Sequence, residues 1–282
     1  MAWKTILLLA VALAGAAVVA ASWGSSRWNA GTRALITRLH EASDRPDALA
    51  FDPESSSELP EPVRRYLRTV IPPGRTPIRA VAIEHTGTFD LATGDPRWLT
   101  FTSHQRVVTG RPGFVWDARI RMAPGVRVFV HDAYVGGEGV LEAKVLGLVT
   151  VARAESTPEL AQGELTRYLA ETPWYPTALL PGHGVTWEAI AERRAAATLT
   201  DGDVSVRMIF TFDDEGLVES VRSEDRYRDD DGALVPTAWE GRFWNYAERD
   251  GLLVPLEGEV AWLLPDGPRP YWRGRIEQIA YE

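Results

Sequence analysis

The chain contains no cysteine. Disulfides, thiolate nucleophiles and cysteine-ligated metals are therefore excluded in any compartment, as is lipid attachment to an N-terminal cysteine. Positive charge is also in deficit: 30 Lys and Arg against 39 Asp and Glu give a formal net charge of −9. Phosphate binding needs the opposite balance, so nucleic acid is not an expected partner. Histidine is scarce, with five copies, and no two have the spacing of metal ligands. Neither a metal site nor a cofactor is expected. The sequence has no Gly-rich loop ending in Gly-Lys-Ser/Thr, no G-x-S-x-G elbow and no H-E-x-x-H. Gly136-Gly137-Glu138-Gly139 is glycine-rich, but it lies between strand patterns and reads as a hairpin turn. An internal repeat of fixed period and a low-complexity tract are likewise missing.

What is present is ordinary globular composition, 45% hydrophobic and 24% charged. A length of 282 residues suits one large β domain or two small domains. Eleven tryptophans stand against three methionines. Large rigid aromatics suit wide cavities, interfaces and membrane-surface belts, and equally a Trp-rich core.

Lys4 is followed by an apolar run from Ile6 to Ala21, flanked by Trp3 and Trp23. A span usually takes about 20 residues, and the flanking tryptophans serve as interfacial anchors. A transmembrane or signal helix is expected here, with a small-residue cleavage site available at Ala20-Ala21-Ser22. Arg27, Arg33 and Arg38 pull the following segment toward the cytoplasm and Lys4 pulls the other way; the reading adopted is an uncleaved anchor with the domain on the extracytoplasmic side. Leu35, Ile36 and Leu39 continue a helical pattern. Residues 1–42 are thus read as anchor and juxtamembrane helix, 43–58 as a proline-containing linker, and 59–282 as a β-rich domain.

Pro60-Glu61-Pro62 opens a short helix with Val63, Tyr66, Leu67 and Val70 on one face. After Pro72-Pro73-Gly74 the apolar period becomes two, as in Phe114, Trp116, Ala118, Ile120 and Met122 or Val204, Val206, Met208, Phe210 and Phe212. Asp-Gly pairs at 201–202, 231–232, 250–251 and 266–267 punctuate such runs and signal hairpins. The sum is ten to twelve antiparallel strands, read as one large half-barrel or barrel.

One helix interrupts them near 157–171. Ser156 or Thr157 caps it, Pro158 and Glu159 suit its first turn, and Ala161, Leu165, Tyr168 and Leu169 form its buried stripe. Glu164 lies at the stripe's edge, and Arg167 with Glu171 reads as an exposed i,i+4 pair. Pro173 ends the helix and Trp174-Tyr175-Pro176 follows. Such an element is either a lid over a cavity or a plug in it.

Leu59-Pro60-Glu61-Pro62-Val63-Arg64-Arg65-Tyr66-Leu67, Gly163–Glu171 and Trp174–Pro181 resemble an uncharacterised bacterial family of membrane-associated proteins, and Phe114–Ala118, Asp132-Ala133-Tyr134 and Tyr271–Gly274 look like further family positions. The resemblance covers most of 59–281, implies a single domain and carries no activity with it.

His85 lies on an apolar strand face, and His104 faces outward. His131 and Asp132, as neighbours in a strand, point to opposite faces and cannot share a metal. Asp117 alternates with Arg119 and Arg121 on a polar face, which reads as an ion-paired outer surface. Glu164, held by a strand arginine and partly buried, would have a perturbed pKa. Polar residues intrude on expected inner faces, through Ser223, Asp225 and Tyr227 and through Tyr271, Arg273, Arg275 and Glu277. They pair with one another or face a wet or ligand-filled cavity.

The reading that follows is a membrane-tethered, extracytoplasmic β half-barrel binding a lipid or other hydrophobic molecule, in the manner of periplasmic lipid-carrier half-barrels, a comparison of fold alone. Phe114, Trp116, Tyr168, Trp174 and Tyr175 would supply contact area; His85, Glu164 and Arg273 would be polar anchors. Two other readings stay open: a scaffold docking a membrane partner through the aromatic loop, and a cell-envelope enzyme with Glu164 or His85 as base.

Overall fold

The computed structural model describes residues 2–43, 51, 58–90, 96–154, 156–230 and 232–282. Helix α1 (Ala2–Glu41) and helix α2 (Glu61–Val70) precede six strands: β1 (Ala80–Asp90), β2 (Trp98–Val108), β3 (Gly113–Ala123), β4 (Val126–Val135), β5 (Glu138–Val145) and β6 (Val149–Ala154). Helix α3 (Pro158–Ala170) and two 3-10 turns (Thr172–Trp174 and Pro176–Leu179) follow. Seven strands complete the chain: β7 (Val185–Ala191), β8 (Arg194–Asp201), β9 (Val204–Phe212), β10 (Val218–Asp230), β11 (Ala233–Arg249), β12 (Leu252–Leu264) and β13 (Gly267–Tyr281). The sequence reading of ten to twelve strands falls one to three short of the thirteen among the described residues.

All thirteen strands form one antiparallel sheet in the order β6-β5-β4-β3-β2-β1-β13-β12-β11-β10-β9-β8-β7. Every neighbour is a neighbour in sequence except β1 and β13, which join the two halves at the centre. The sheet does not close, since β6 and β7 are both edges and α3 connects them.

Contacts of α3 reach β3, β4 and β5 on one side and β9 and β10 on the other. Between β4 and β10 lie seven strand spacings, roughly 34 Å if the sheet were flat. A helix about 10–12 Å across can touch both only if the sheet curls around it. A row of glycines crosses the central strands, with Gly87 opposite Gly274 and Gly274 opposite Gly258. A Cβ at Gly274 would fall inside the Trp272 indole, so only glycine lets that ring lie flat on the sheet.

The α2 residues Val63, Tyr66, Leu67 and Val70 are buried as their spacing predicts. They pack toward β8 and β12, with Tyr66 beside Phe212 at 5.7 Å between ring centroids. Burial pushes the Tyr66 hydroxyl pKa up. The segment read as linker lies mostly outside the described residues. Its Phe51 is described: it is 4% exposed in the core, and its backbone bonds to Gly74 and Arg75.

Among the described residues no helix is long and apolar enough to cross a membrane, so the structure does not support the transmembrane reading of Ile6–Ala21. The second half of α1 is not a free stalk either. Leu35, Ile36 and Leu39 pack on Ala80, Val108, Val115, Ala133 and Val135, which lie on the outer face of the sheet.

Candidate functional site

Strand alternation sends β3 and β4 side chains alternately inward and outward, and each face carries a polar cluster. On the outer face Asp117 lies opposite His131 in the ladder. Asp117 accepts from Trp28 Nε1 at 2.8 Å, from Thr32 Oγ1 at 3.2 Å and from the Arg119 guanidinium. Thr32 Oγ1 lies 2.7 Å from His131 Nε2, and the Trp28 indole stacks on the His131 ring at 3.8 Å. Asp117 is thus ion-paired with Arg119 as expected, but α1 covers it. Burial, the largest effect, lowers the His131 pKa to about 4 despite Asp117 nearby. Thr32, His131 and Asp117 do not form a nucleophilic relay, since the hydroxyl and the carboxylate both approach the same ring nitrogen. They clamp α1 to the sheet.

The inner face differs. A cavity of about 530 Å³ lies between α3 and the sheet, inside the usual range for small-molecule pockets. Its wall is mostly apolar, with Phe89, Trp116, Ile120, Val128, Val130, Trp239, Phe243, Val260 and Trp272. Val151 of edge strand β6 lines the cavity and is 55% exposed, which places an opening along that edge.

A charged group borders this wall. Arg167 bonds Asp132 at 2.5 Å and Glu171 at 2.8 Å, and Gln105 donates to Glu171 at 2.5 Å. The guanidinium lies over the Phe114 and Trp116 rings at 4.8 and 4.9 Å. The i,i+4 pair of Arg167 and Glu171 is therefore present but not exposed. A helix inside a curled sheet has little free circumference, so its polar edge is buried with its apolar stripe. Glu164 is 5% exposed, and one of its oxygens has no partner among the described residues. Burial raises its pKa well above the usual carboxylate range, and Asp132 adds to this; Arg226 and Arg167 oppose it and lose. The neighbouring carboxylates raise the Arg167 pKa further.

The anticipated site residues divide. Trp116 and Trp174 line the cavity. Phe114, Tyr168 and Tyr175 are buried in the core behind it, with the Tyr175 hydroxyl donating to the Tyr168 carbonyl at 2.8 Å. Glu164 lies beside the charged group rather than on the wall. His85 is 2% exposed against Trp174 and Trp272, with Ser103 Oγ at 3.4 Å, and burial lowers its pKa to about 3. Arg273 is on the outer face, paired with Glu259 at 2.5 Å and stacked over Trp98. A bulge between Val260 and Ala261 shifts β13 against β12, so Tyr271 and Trp272 both line the cavity and Arg273 turns away. A second bulge, between Ser223 and Arg226, sends Arg226 to the cavity where strict alternation anticipates Asp225. Asp132, Arg167, Glu171, Arg226, Trp239 and Trp272 were not foreseen as site residues. Of these, Asp132 carried a signal, because its face is opposite that of His131.

The aromatic loop is held rigidly. Thr177 Oγ1 accepts from the Ile78 N–H at 3.0 Å, and Tyr281 donates to the Trp174 carbonyl at 2.9 Å. The element is both plug and lid: Tyr175 fills the core, and Trp174 closes part of the cavity.

These features define an open antiparallel half-barrel with a helix across its concave face and an apolar cavity beneath. The chain belongs to a family of unknown function, DUF6920, whose model matches residues 57–281. No curated protein matches it in sequence. Among solved structures it is similar to a LolA superfamily protein from Nitrosomonas europaea, at 10% identity and a TM-score of 0.41, covering 74% of this chain and 88% of that one. It is also similar to a putative outer membrane lipoprotein-sorting protein domain from Vibrio parahaemolyticus, at 11% identity and a TM-score of 0.40, covering 72% and 86%.

Proposed function

We propose that this protein binds a hydrophobic small molecule or lipid in the cavity between α3 and the sheet. The observation that carries the reading is the cavity itself: about 530 Å³ with a largely apolar wall, beneath a helix that the fold could instead have packed against side chains. A role for Glu164 as general base finds no support, because Glu164 does not line the wall.

Native mass spectrometry of the full chain after gentle extraction tests the reading. The expected spectrum contains a co-purifying lipid, or shows binding of added single-chain lipid. A clean apo mass that stays unchanged on addition of lipid sinks it. A membrane-associated, extracytoplasmic placement is part of the same proposal, supported by the exposed apolar side chains of α1 such as Trp3, Ile6, Leu8, Val19 and Trp23. Protease accessibility in intact against lysed cells tests that placement; protection that is lost only when the cytoplasmic membrane is broken would overturn it.

A further inference from the structure

One corner of the cavity has one-sided hydrogen bonding. Arg226 lines the wall with its guanidinium over Trp239 at 4.9 Å and Trp262 at 5.7 Å. A guanidinium has five N–H donors. Its hydrogen bond among the described residues is one long contact, 3.4 Å to the Tyr271 hydroxyl. Arg167 is neutralised by two carboxylates, whereas Arg226 has no salt bridge among the described residues.

Tyr271, also on the wall, shows the same imbalance. Its oxygen accepts from Trp239 Nε1 at 2.9 Å and from Arg226, which uses both lone pairs. Its own hydrogen has no acceptor among the described residues. The indole N–H groups of two further wall residues, Trp116 and Trp174, are buried without a partner there. Meanwhile the carboxylates on the wall are occupied: Asp132 and Glu171 are bonded to Arg167, and Glu259 is bonded to Arg273. Surplus donors and an unneutralised cation beside an apolar wall call for a ligand that brings acceptors and negative charge.

We infer that the cavity takes a long-chain carboxylate, with Arg226 and Tyr271 donating to its two oxygens and the chain lying along the apolar wall. The inference rests on the reading of the cavity as a hydrophobic-ligand site and adds the charge of the ligand. A planar fork of donors matches a carboxylate's two oxygens. A volume of about 530 Å³ lies within the range of small-molecule pockets and has room for one alkyl chain.

Laurate and 1-dodecanol, which share a chain and differ in the head, separate the two claims. Binding to the full chain is followed by tryptophan fluorescence and native mass spectrometry. Laurate should bind at least about tenfold tighter than dodecanol, the worth of one charge-assisted hydrogen bond. Arg226→Gln should erase that preference by weakening laurate at least about tenfold more than dodecanol; Tyr271→Phe should reduce it a few-fold. Equal binding of the two by the wild type, or a preference retained in R226Q, overturns the carboxylate claim while the apolar reading stands. Binding of neither amphiphile removes the apolar reading itself. Should R226Q fail to fold by circular dichroism, Arg226→Lys takes its place. A several-fold loss of laurate preference in R226K then supports the claim, and an unchanged ratio defeats it.

Discussion

Two polar clusters sit back to back on β4, one residue apart. His131 points outward into a group where the threonine, tryptophan, arginine and carboxylate partners are mutually bonded under α1. Asp132 points inward into a group that includes an orphaned Glu164 oxygen and borders a cavity. Both are buried and both shift pKa values, so burial and perturbation alone do not distinguish a structural clamp from a site. The state of the hydrogen bonds does. Where the donors and acceptors meet their needs internally, the cluster fastens elements together; where atoms are left over beside empty space, the molecule is arranged for something else.

The largest expected effect is on the inner cluster. Arg167→Met leaves Asp132 and Glu171 buried without their shared cation, and should cost about 3–5 kcal/mol by denaturant unfolding. A loss below about 1 kcal/mol would show that water enters the cluster freely. On the outer face Trp28→Ala removes the ring that stacks on His131 and donates to Asp117, a deletion on the order of 3 kcal/mol. It should act locally: hydrogen exchange at residues 28–41 accelerates while the strand amides stay protected. Uniform acceleration through the sheet would mean that the α1 clamp supports the whole fold.

Acidity sharpens the contrast, because the clusters respond with opposite sign. The folded pKa of His131, about 4, lies below the ordinary imidazole value of 6.5. Its contribution is therefore present above pH 6.5 and lost as pH falls toward 4, by at most about 3 kcal/mol. His131→Gln should flatten that acid limb without abolishing it, since His85 titrates in the same direction. Glu164 has a raised folded pKa, so its contribution is present below 4.5 and is lost as pH rises. Glu164→Gln should stabilise the protein above that range, with a gain over wild type that grows as pH rises in denaturant unfolding. Parallel pH profiles for wild type and E164Q would show that the carboxyl ionises without penalty. The smallest effect on stability, and the most direct on binding, is expected from Ala143→Phe. This fills part of the cavity from its wall, should change stability by less than about 1.5 kcal/mol, and should abolish retention of laurate in native mass spectra.

Much of the framework was legible in the residues. Period-two runs and Asp-Gly turns mark the hairpins, and Thr157 caps α3 by accepting from the Leu160 N–H at 3.2 Å. The opposed directions of His131 and Asp132 follow from strand geometry alone. The site was less legible for a specific reason. Bulges at 223–226 and 260–261 each slip the alternation by one position, which exchanges Asp225 for Arg226 and turns Arg273 outward. Sequence period carries no mark of such a slip. The burial of Arg167 was hidden for a different reason: helical periodicity finds the face toward a flat support, not the extra faces covered when the support curls. The docking of Trp28 onto Asp117 joins residues 89 apart in the chain, a pairing that local pattern does not encode.

The junction of β1 with β13 has a consequence for the birth of the molecule. Strand β13, synthesised after the other twelve strands of the sheet, is the one that lies at its middle. Until it emerges, β1–β6 and β7–β12 are two separate meanders, each with an unpaired border where the other belongs. Joining them closes a loop of nearly the whole domain, a slow step for a growing chain. A ribosome that stalls short of β13 would thus release two adhesive half-sheets rather than one sheet missing an edge.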